Sequence, residues 1–492
     1  MRYLQGFLIG RKMMILQRQK KKIITGCLLI FILITASIVF SPILRNGFTN
    51  WDDSTYITKN SDLKDFSLTG IIHICSSFYI QNYHPLTMLS YLMEYHFFGA
   101  NPLGYHITSL ILHLLNCIFV FWLVFLLSES IIVTFIAAML FAIHPLHVES
   151  VAWIAERKDL LYSLFSLAGF IAYIHYLKKG KRVYYFICLF LFFLSLLSKA
   201  MAVTFPLVLF LIDYLFKRKF DKESFFEKIP FFALAFIFLL IGSITFHVLA
   251  FWPGWSFMAV FRQGMIAAYA ITFYLYKILL PVGLSCLYPY PGINETSTFQ
   301  YLFFPLIVAI LAALVVFSRK YTRKIVFGSL FFLCTIFLAL QISPFANSIV
   351  ADRYTYLASV GLFYLSGEGV RWFYLRLNLP ASVKNLFFPV IFIGLILVLF
   401  SLSWQRCKVW KNSLVLWSDA LKRYPDLPVA YYNRGNAYLD QKDYGKAIDD
   451  YNRAIQIAPD FLFPYFAKVI AYERKGEYDK AYSIIDYKGA NN

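Results

Sequence analysis

Two adjacent carboxylates, Asp52 and Asp53 in "NWDDS", follow directly on the first long apolar run of the chain. Paired acids suit proton transfer, because each anion disfavours ionisation of the other and pushes one of the two toward the range of a working base. Capping a helix N-terminus is the plainer use of Asp-Asp-Ser. A second dense stretch, "HPLHVESVAWIAERKDLL", carries His144, His147, Glu149, Glu156, Arg157, Lys158 and Asp159. Two histidines three apart with a nearby Glu hint at zinc, but no second ligand pair has a matching frame. Ion pairs at i,i+3 and i,i+4 along an interfacial helix are the plainer alternative. Glu156 with Arg157 and Lys158 also offers the cationic surface that a phosphate requires. Lys199 in "LLSKAMAV" sits between apolar runs with almost no loop, which snorkelling or a phosphate partner would explain equally. "ADRYTYLASVG" adds Asp352, Arg353, Tyr354 and Tyr356.

What must position these groups follows from composition. A chain of 492 residues that is 60% hydrophobic, 20% aromatic and 15% charged cannot present an ordinary water-facing surface, so it is expected to be a polytopic membrane protein. The net charge of +19 falls in short Lys/Arg clusters between apolar runs, where it sets topology. No basic, aromatic-interleaved groove points to nucleic acid. The seven Cys are scattered, mostly in apolar segments, and lack metal or disulfide spacing.

Candidate spans lie near 23–40, 104–127, 131–147, 159–177, 183–199, 201–216, 229–251, 264–281, 301–317, 325–342, 351–369 and 386–403. "RQKKK" before the first span predicts a cytoplasmic N-terminus, residues 1–22, and an uncleaved anchor. "KKGKR", "KRKFDKE" and "SRKYTRK" are then cytoplasmic too. Three candidates between the last two clusters cannot all cross, and the Tyr-rich segment 264–281 is expected to be re-entrant or interfacial. About eleven crossings remain, with the "WDD" loop, within the external segment 41–103, and the C-terminus on the non-cytoplasmic side. Asn294 in "NET" forms a glycosylation sequon of the kind that arises by chance.

From about residue 404 the apolar runs stop and a period of about 34 residues appears. Gly435, Tyr438, Ala447, Tyr451, Ala454 and Pro459 match tetratricopeptide (TPR) spacing, as do Tyr465, Tyr472, Ala481 and Ile485 one unit on. Trp417, Ala420 and Pro425 look like the second helix of a preceding, degenerate unit. Such repeats bind peptides or cap a neighbouring domain.

The order "NWDD", "NYHPLTMLSY", "NPLGYHITSLILHLLN", "FAIHPLHVESVAWIAERKDLL", "LLSKAMAVTFPLVLFLIDY", "ADRYTYLASVG", then TPR repeats, resembles bacterial relatives of the transmembrane-and-TPR protein O-mannosyltransferases, within the GT-C superfamily. The resemblance runs from about residue 45 onward and is weakest between 250 and 300. It implies an all-α protein: a GT-C transmembrane domain (23–403) of about eleven crossings, catalytic carboxylates in its first external loop, and a short TPR solenoid (404–492).

It also implies a membrane glycosyltransferase that moves a sugar, mannose favoured, from a polyprenyl-phosphate donor to an acceptor hydroxyl such as protein Ser or Thr. Asp52 and Asp53 would supply the base and its orienting partner, while Arg157, Lys158, Lys199 and Arg353 are candidates for the donor phosphate. His147, Glu149 and Tyr354 are candidates for sugar or acceptor contacts. One displacement at the anomeric carbon would invert it. Paired carboxylates also suit a divalent ion, but a monophosphate donor is served by Arg and Lys alone, so no obligatory metal is expected. The acceptor would dock on the TPR repeats, and a bacterial inner membrane is favoured over the endoplasmic reticulum. The alternatives are a non-catalytic TPR scaffold, which would need one span, and a lipid or glycan transporter, which should carry mid-span charges.

Overall fold

The computed structural model describes residues 2–246, 257–290, 298–340 and 348–489. Among these the chain is helical and without strands, apart from an isolated bridge between Tyr79 and Asn82. The first third comprises α1 (Arg2–Phe40), α2 (Leu68–Ser76), α3 (Pro85–Phe98), α4 (Pro102–Ser128), α5 (Ile131–Ile143) and α6 (Val148–Ala152). Then follow α7 (Arg157–Lys179), α8 (Arg182–Ser198), α9 (Phe205–Leu215), α10 (Lys222–Phe226), α11 (Ile229–Phe246) and α12 (Phe257–Leu279). The apolar part closes with α13 (Thr298–Ser318), α14 (Arg323–Ile336), α15 (Thr355–Arg376) and α16 (Ala381–Val409). Five shorter amphipathic helices end the chain: α17 (Ser413–Arg423), α18 (Pro428–Asp440), α19 (Tyr444–Ile457), α20 (Phe463–Lys475) and α21 (Tyr478–Gly489).

Each apolar segment marked in the sequence coincides with helix, but span length does not follow from apolarity. Among the described residues five helices are long and apolar enough to cross a bilayer: Lys22–Arg45, Pro102–Ser128, Ile154–Lys179, Lys222–Ser243 and Ala381–Val409. The pair Ile131–Ile143 and Pro145–Ala152 would be a sixth, bent by 49°. That bend has a local cause: Pro145 forces His144 into an extended conformation (φ −72°, ψ 133°) and cannot continue the ladder of α5. The segment 264–281, expected to be re-entrant or interfacial, falls in one continuous 23-residue helix, α12, which argues against a re-entrant turn and leaves an interfacial helix open. Its breakers, Pro281 and Gly283, fall after the last turn rather than within it. The sequon at Asn294, the end of the segment 229–251 and residues 341–342 of the segment 325–342 lie outside the described residues, as does the side chain of Ile485.

α15 is the central beam of the apolar part, and glycine lets its neighbours approach. A Cβ on Gly361 would stand 2.4 Å from the Gly328 carbonyl oxygen of α14, and one on Gly367 would stand 2.8 Å from the Val133 carbonyl of α5. Helices that close pack through backbone contact, as small residues permit in membranes. In the C-terminal part Gly435 does the same against the ring of Tyr451, with Ala447 and Ala454 fully buried beside it. The position of α15 matters because Arg353 lies in the turn that opens it. Gly361→Val should overpack the α14–α15 contact by roughly 1–3 kcal/mol. Thermal unfolding in detergent should show a lowered melting temperature, and an unchanged one would contradict the contact.

Candidate active site

The two carboxylates of the loop after α1 have opposite surroundings. Asp53 is fully buried, and both of its oxygens are engaged: Oδ2 accepts from the Thr49 amide (2.7 Å) and hydroxyl (3.0 Å), and Oδ1 accepts from the Ala155 amide (3.0 Å). It therefore latches its loop to the turn Ile154–Glu156 that precedes α7. Burial pushes the Asp53 carboxyl up to about 6, against the pull of these donors. Asp52 is only half-buried, and among the described residues its side chain takes part in no hydrogen bond or ion pair. Burial raises its pKa as well; Lys158 and Arg353 pull it down and Glu156 pushes it up. Neither carboxylate side chain caps a helix, since the single turn after Asp53 receives no side-chain bond.

Facing Asp52 is a knot of charge drawn from four separate segments. Glu156 is its hub, with Lys158 Nζ at 3.3 Å, Lys199 Nζ at 3.4 Å and Arg353 Nε at 3.2 Å. Lys199 also holds Asp159 (2.6 Å), and Arg353 holds Glu149 (2.5 Å). The three carboxylates are at most 3% exposed, whereas the side chains of Lys158, Lys199 and Arg353 keep 11%, 13% and 14%. The cations are thus the part of the knot a ligand can reach. Tyr354 lies beneath two of them, its ring centroid 4.9 Å from the Arg353 guanidinium carbon and 5.7 Å from Lys199 Nζ. His84 closes another edge: it is 2% exposed, its ring packs edge-on against Tyr56, and neither ring nitrogen has a hydrogen-bond partner. Burial, with Lys158 next, holds it neutral by lowering its pKa to about 3.

The back of the loop is fastened to the C-terminal helices. Asn50 donates its amide to Ser413 Oγ (2.9 Å) and its side-chain Nδ2 to the Asn433 carbonyl (2.7 Å), and its Oδ1 accepts from Trp417 Nε1 (2.8 Å). Trp51 stacks on Trp153 at 4.6 Å, Trp153 on Trp410 at 5.6 Å, and Trp417 tilts against Trp51 at 5.1 Å. This column runs from the charged knot to the first helix of the terminal array.

Of the residues expected to bind phosphate, Lys158, Lys199 and Arg353 converge and Arg157 does not. Successive residues on a helix point about 100° apart, so the neighbour of an inward-facing Lys158 must face elsewhere. Arg157 is fully buried in an ion pair with Glu94 and donates to the Tyr105 carbonyl (2.8 Å), tying α3, α4 and α7 together. Among the other candidates Glu149 and Tyr354 belong to the knot, Glu149 through Arg353. His147 faces away: its ring nitrogens meet the Phe141 carbonyl (2.8 Å) and Ser359 Oγ (3.0 Å). The stretch 144–159 is a helix broken twice, not one interfacial helix, so Glu149 pairs with Arg353 rather than along its own helix. Among the described residues no three His, Cys, Asp or Glu side chains group as a metal site. With both Asp53 oxygens taken by N–H and O–H donors, the Asp52–Asp53 pair offers one open carboxylate rather than two.

Site and fold together describe a helical membrane protein in which the loop after the first apolar helix carries one locked and one open carboxylate beside a cation cluster. Residues 428–461 match the tetratricopeptide repeat family. A protein O-mannosyl-transferase of Caenorhabditis elegans is 28% identical over 401 residues, 79% of this chain and 55% of the relative. The human protein O-mannosyl-transferase TMTC1 is 23% identical over 77% of this chain and 48% of its own length, and human TMTC3 is 24% identical over 77% and 45%. The chain is thus a relative of the transmembrane-and-TPR protein O-mannosyltransferases, as its motif order suggested, and it spans about half the length of the curated relatives it matches. Among solved structures, an Archaeoglobus fulgidus oligosaccharyltransferase tethered to an acceptor peptide is similar at 14% identity and a TM-score of 0.44, over 80% of this chain and 56% of that one. ArnT from Cupriavidus metallidurans bound to undecaprenyl phosphate is similar at 11% identity and a TM-score of 0.39, over 92% and 78%.

The loop's two fastenings can be separated experimentally. Asp53→Asn must turn an amide NH₂ toward at least one N–H or O–H donor, at a cost of about 1–3 kcal/mol. Amide exchange at Thr49 and Ala155 should quicken in this variant, and at Asn50 in Asn50→Ala, while Asp52→Asn leaves all three slow. Equal protection in every variant would contradict the latch.

Proposed function

We propose that this protein is a membrane glycosyltransferase of the GT-C type, moving a hexose, mannose favoured, from a polyprenyl-phosphate donor to an acceptor hydroxyl, such as a protein Ser or Thr. The observation that carries this reading is the contrast between the two acids. Both Asp53 oxygens are already held by protein donors, whereas Asp52 stands open against three cations at the ends of apolar helices. The curated relatives named as O-mannosyl-transferases support the choice of reaction.

In this reading Asp52 takes the proton of the acceptor hydroxyl as its oxygen forms a bond to the anomeric carbon. The bond from that carbon to the phosphate oxygen breaks, and its electron pair leaves with the polyprenyl phosphate. Lys158, Lys199 and Arg353 receive the negative charge that develops there. One displacement inverts the anomeric carbon. The buried, unpartnered nitrogens of His84 suit a sugar hydroxyl, because a buried polar group without a partner is unfavourable until a ligand supplies one. Glu149 acts through Arg353, and Tyr354 supports the cations from below. A polyprenyl chain partitions into lipid, which leaves its head at the interface where this loop lies. The finer placement, with about eleven crossings and the loop and C-terminal helices on the non-cytoplasmic side, rests on the Lys/Arg asymmetry of the loops. The TPR helices would present the acceptor peptide.

The test is transfer from radiolabelled polyprenyl-phosphate-mannose to Ser/Thr peptides in liposomes. Asp52→Asn should lower the rate by about 10²–10⁴-fold with the melting temperature unchanged. A base must be ionised, and burial lifts Asp52 above its ordinary 3.8, so wild-type kcat/KM should fall with decreasing pH along a limb above that value. The residual activity of Asp52→Asn should lack the limb. Normal transfer by this variant would overturn the assignment.

A further inference from the structure

Where α1 and α16 end side by side, a cavity of about 610 Å³ opens between them. Pro42, Leu44 and Trp404 give it an apolar lining, and Arg45, Lys408 and Lys411 stand around it. All three cations are exposed, and among the described residues none of them is in an ion pair. Lys408 Nζ lies 5.5 Å from the centroid of the Trp404 ring, so this lysine folds over the cavity wall rather than extending away.

The position fixes the kind of ligand. Both helices are among those long and apolar enough to cross a bilayer, and both end at this cavity, at Arg45 and Val409. Below it their outward faces are bare hydrocarbon: Ile34 and Ile38 on α1, and Leu397 and Val398 on α16, are all exposed. A groove with an apolar track beneath and three unmatched cations above has the amphipathic order of a phospholipid, acyl chains below and phosphate above. Topology alone does not call for these charges. The Lys20–Lys22 cluster lies midway along α1, where the apolar span Lys22–Arg45 begins, about 30 Å from the cavity at the helical rise.

We propose that this cavity is a binding site for the headgroup of an anionic phospholipid, separate from the charged knot around Glu156. The ligand would seat its phosphate among Arg45, Lys408 and Lys411 and its chains along α1 and α16. The site also touches the root of the Asp52 loop. Asn46 lines the cavity and donates Nδ2 to the Cys407 carbonyl (3.0 Å), and the Gly47 amide donates to the Lys411 carbonyl (2.8 Å). A bound lipid therefore braces the segment that leads to Asp52. The proposal rests on the cavity and stands independently of the transferase reading.

The experiment is lipid retention by the purified full chain in neutral detergent, read by native mass spectrometry, with phosphatidylglycerol and phosphatidylcholine as probes. Wild type should retain phosphatidylglycerol in preference to phosphatidylcholine. The combined variant Arg45→Gln, Lys408→Gln, Lys411→Gln should lose at least about tenfold of that retention, since each cation near an anionic lipid contributes to binding. Its melting temperature in lipid-free detergent should be nearly unchanged, because among the described residues the three groups have no ion pair or side-chain hydrogen bond to lose. The charge-keeping variant Arg45→Lys, Lys408→Arg, Lys411→Arg should retain the lipid, as should Lys181→Gln, Arg182→Gln, which removes exposed cations elsewhere. Equal loss in that control, or no loss in the triple Gln variant, would reduce the site to general interfacial charge and overturn the proposal. Undecaprenyl phosphate displacing phosphatidylglycerol at equal concentration would assign the cavity to a polyprenyl lipid and overturn it also.

Discussion

Charge cannot be buried unpaired, and the centre of this protein is arranged around that constraint. Glu149, Glu156 and Asp159 are matched by Lys158, Lys199 and Arg353, a neutral set of six contributed by segments far apart in sequence. Removing any one leaves a charge stranded, so α6, the turn before α7, the turn after α8 and the turn before α15 hold one another in place. Asp52 is the surplus anion beside this balanced set. In the proposed transfer a proton moves onto Asp52 as an extra negative charge appears on the departing phosphate. The net charge of the enclosed site therefore stays constant through the step, which a poorly solvated site strongly favours.

The second organising feature is mechanical. The loop bearing Asp52 is held from the front by Asp53 on Ala155 and from behind by Asn50 on three residues of α17 and α18. The tryptophan column of Trp51, Trp153, Trp410 and Trp417 fills the space between these fastenings. The terminal helices thus form part of the wall that positions Asp52. An acceptor segment lying on α17 and α18 would be next to the loop that is proposed to activate its hydroxyl.

Much of this was legible in the sequence because membrane proteins punish stray polarity. Charges at the ends of apolar runs stand out, and so Asp52, Asp53, Lys199 and Arg353 could be selected by position alone. The small and aromatic residues of the C-terminal period identified the repeats for a similar reason, since Gly435 and Ala447 sit where helices touch. Direction was not legible. Arg157 and Lys158 look interchangeable in a string, yet one turns to Glu94 and the other to Glu156. His147 likewise faces the α5–α15 contact, while His84, unremarkable in "NYHPL", is left buried with free nitrogens. The roles of Asn50 and the four tryptophans depend on contacts between residues far apart in the chain, 367 positions for Asn50 and Trp417, and have no local signature. Hydropathy located the helices without fixing the number of crossings, because α8, α9 and α14 are only 17, 11 and 14 residues long.

In the proposed mechanism Asp52 acts on the acceptor proton and is not needed to hold the donor or the loop. The most direct measurement is a binding isotherm for polyprenyl-phosphate-mannose on Asp52→Asn, taken beside its single-turnover transfer to peptide. Donor affinity should stay within about twofold of wild type, because the proposed phosphate contacts come from Lys158, Lys199 and Arg353, while transfer slows by at least about a hundredfold. Donor affinity and transfer falling together would contradict it and make Asp52 a donor-holding residue.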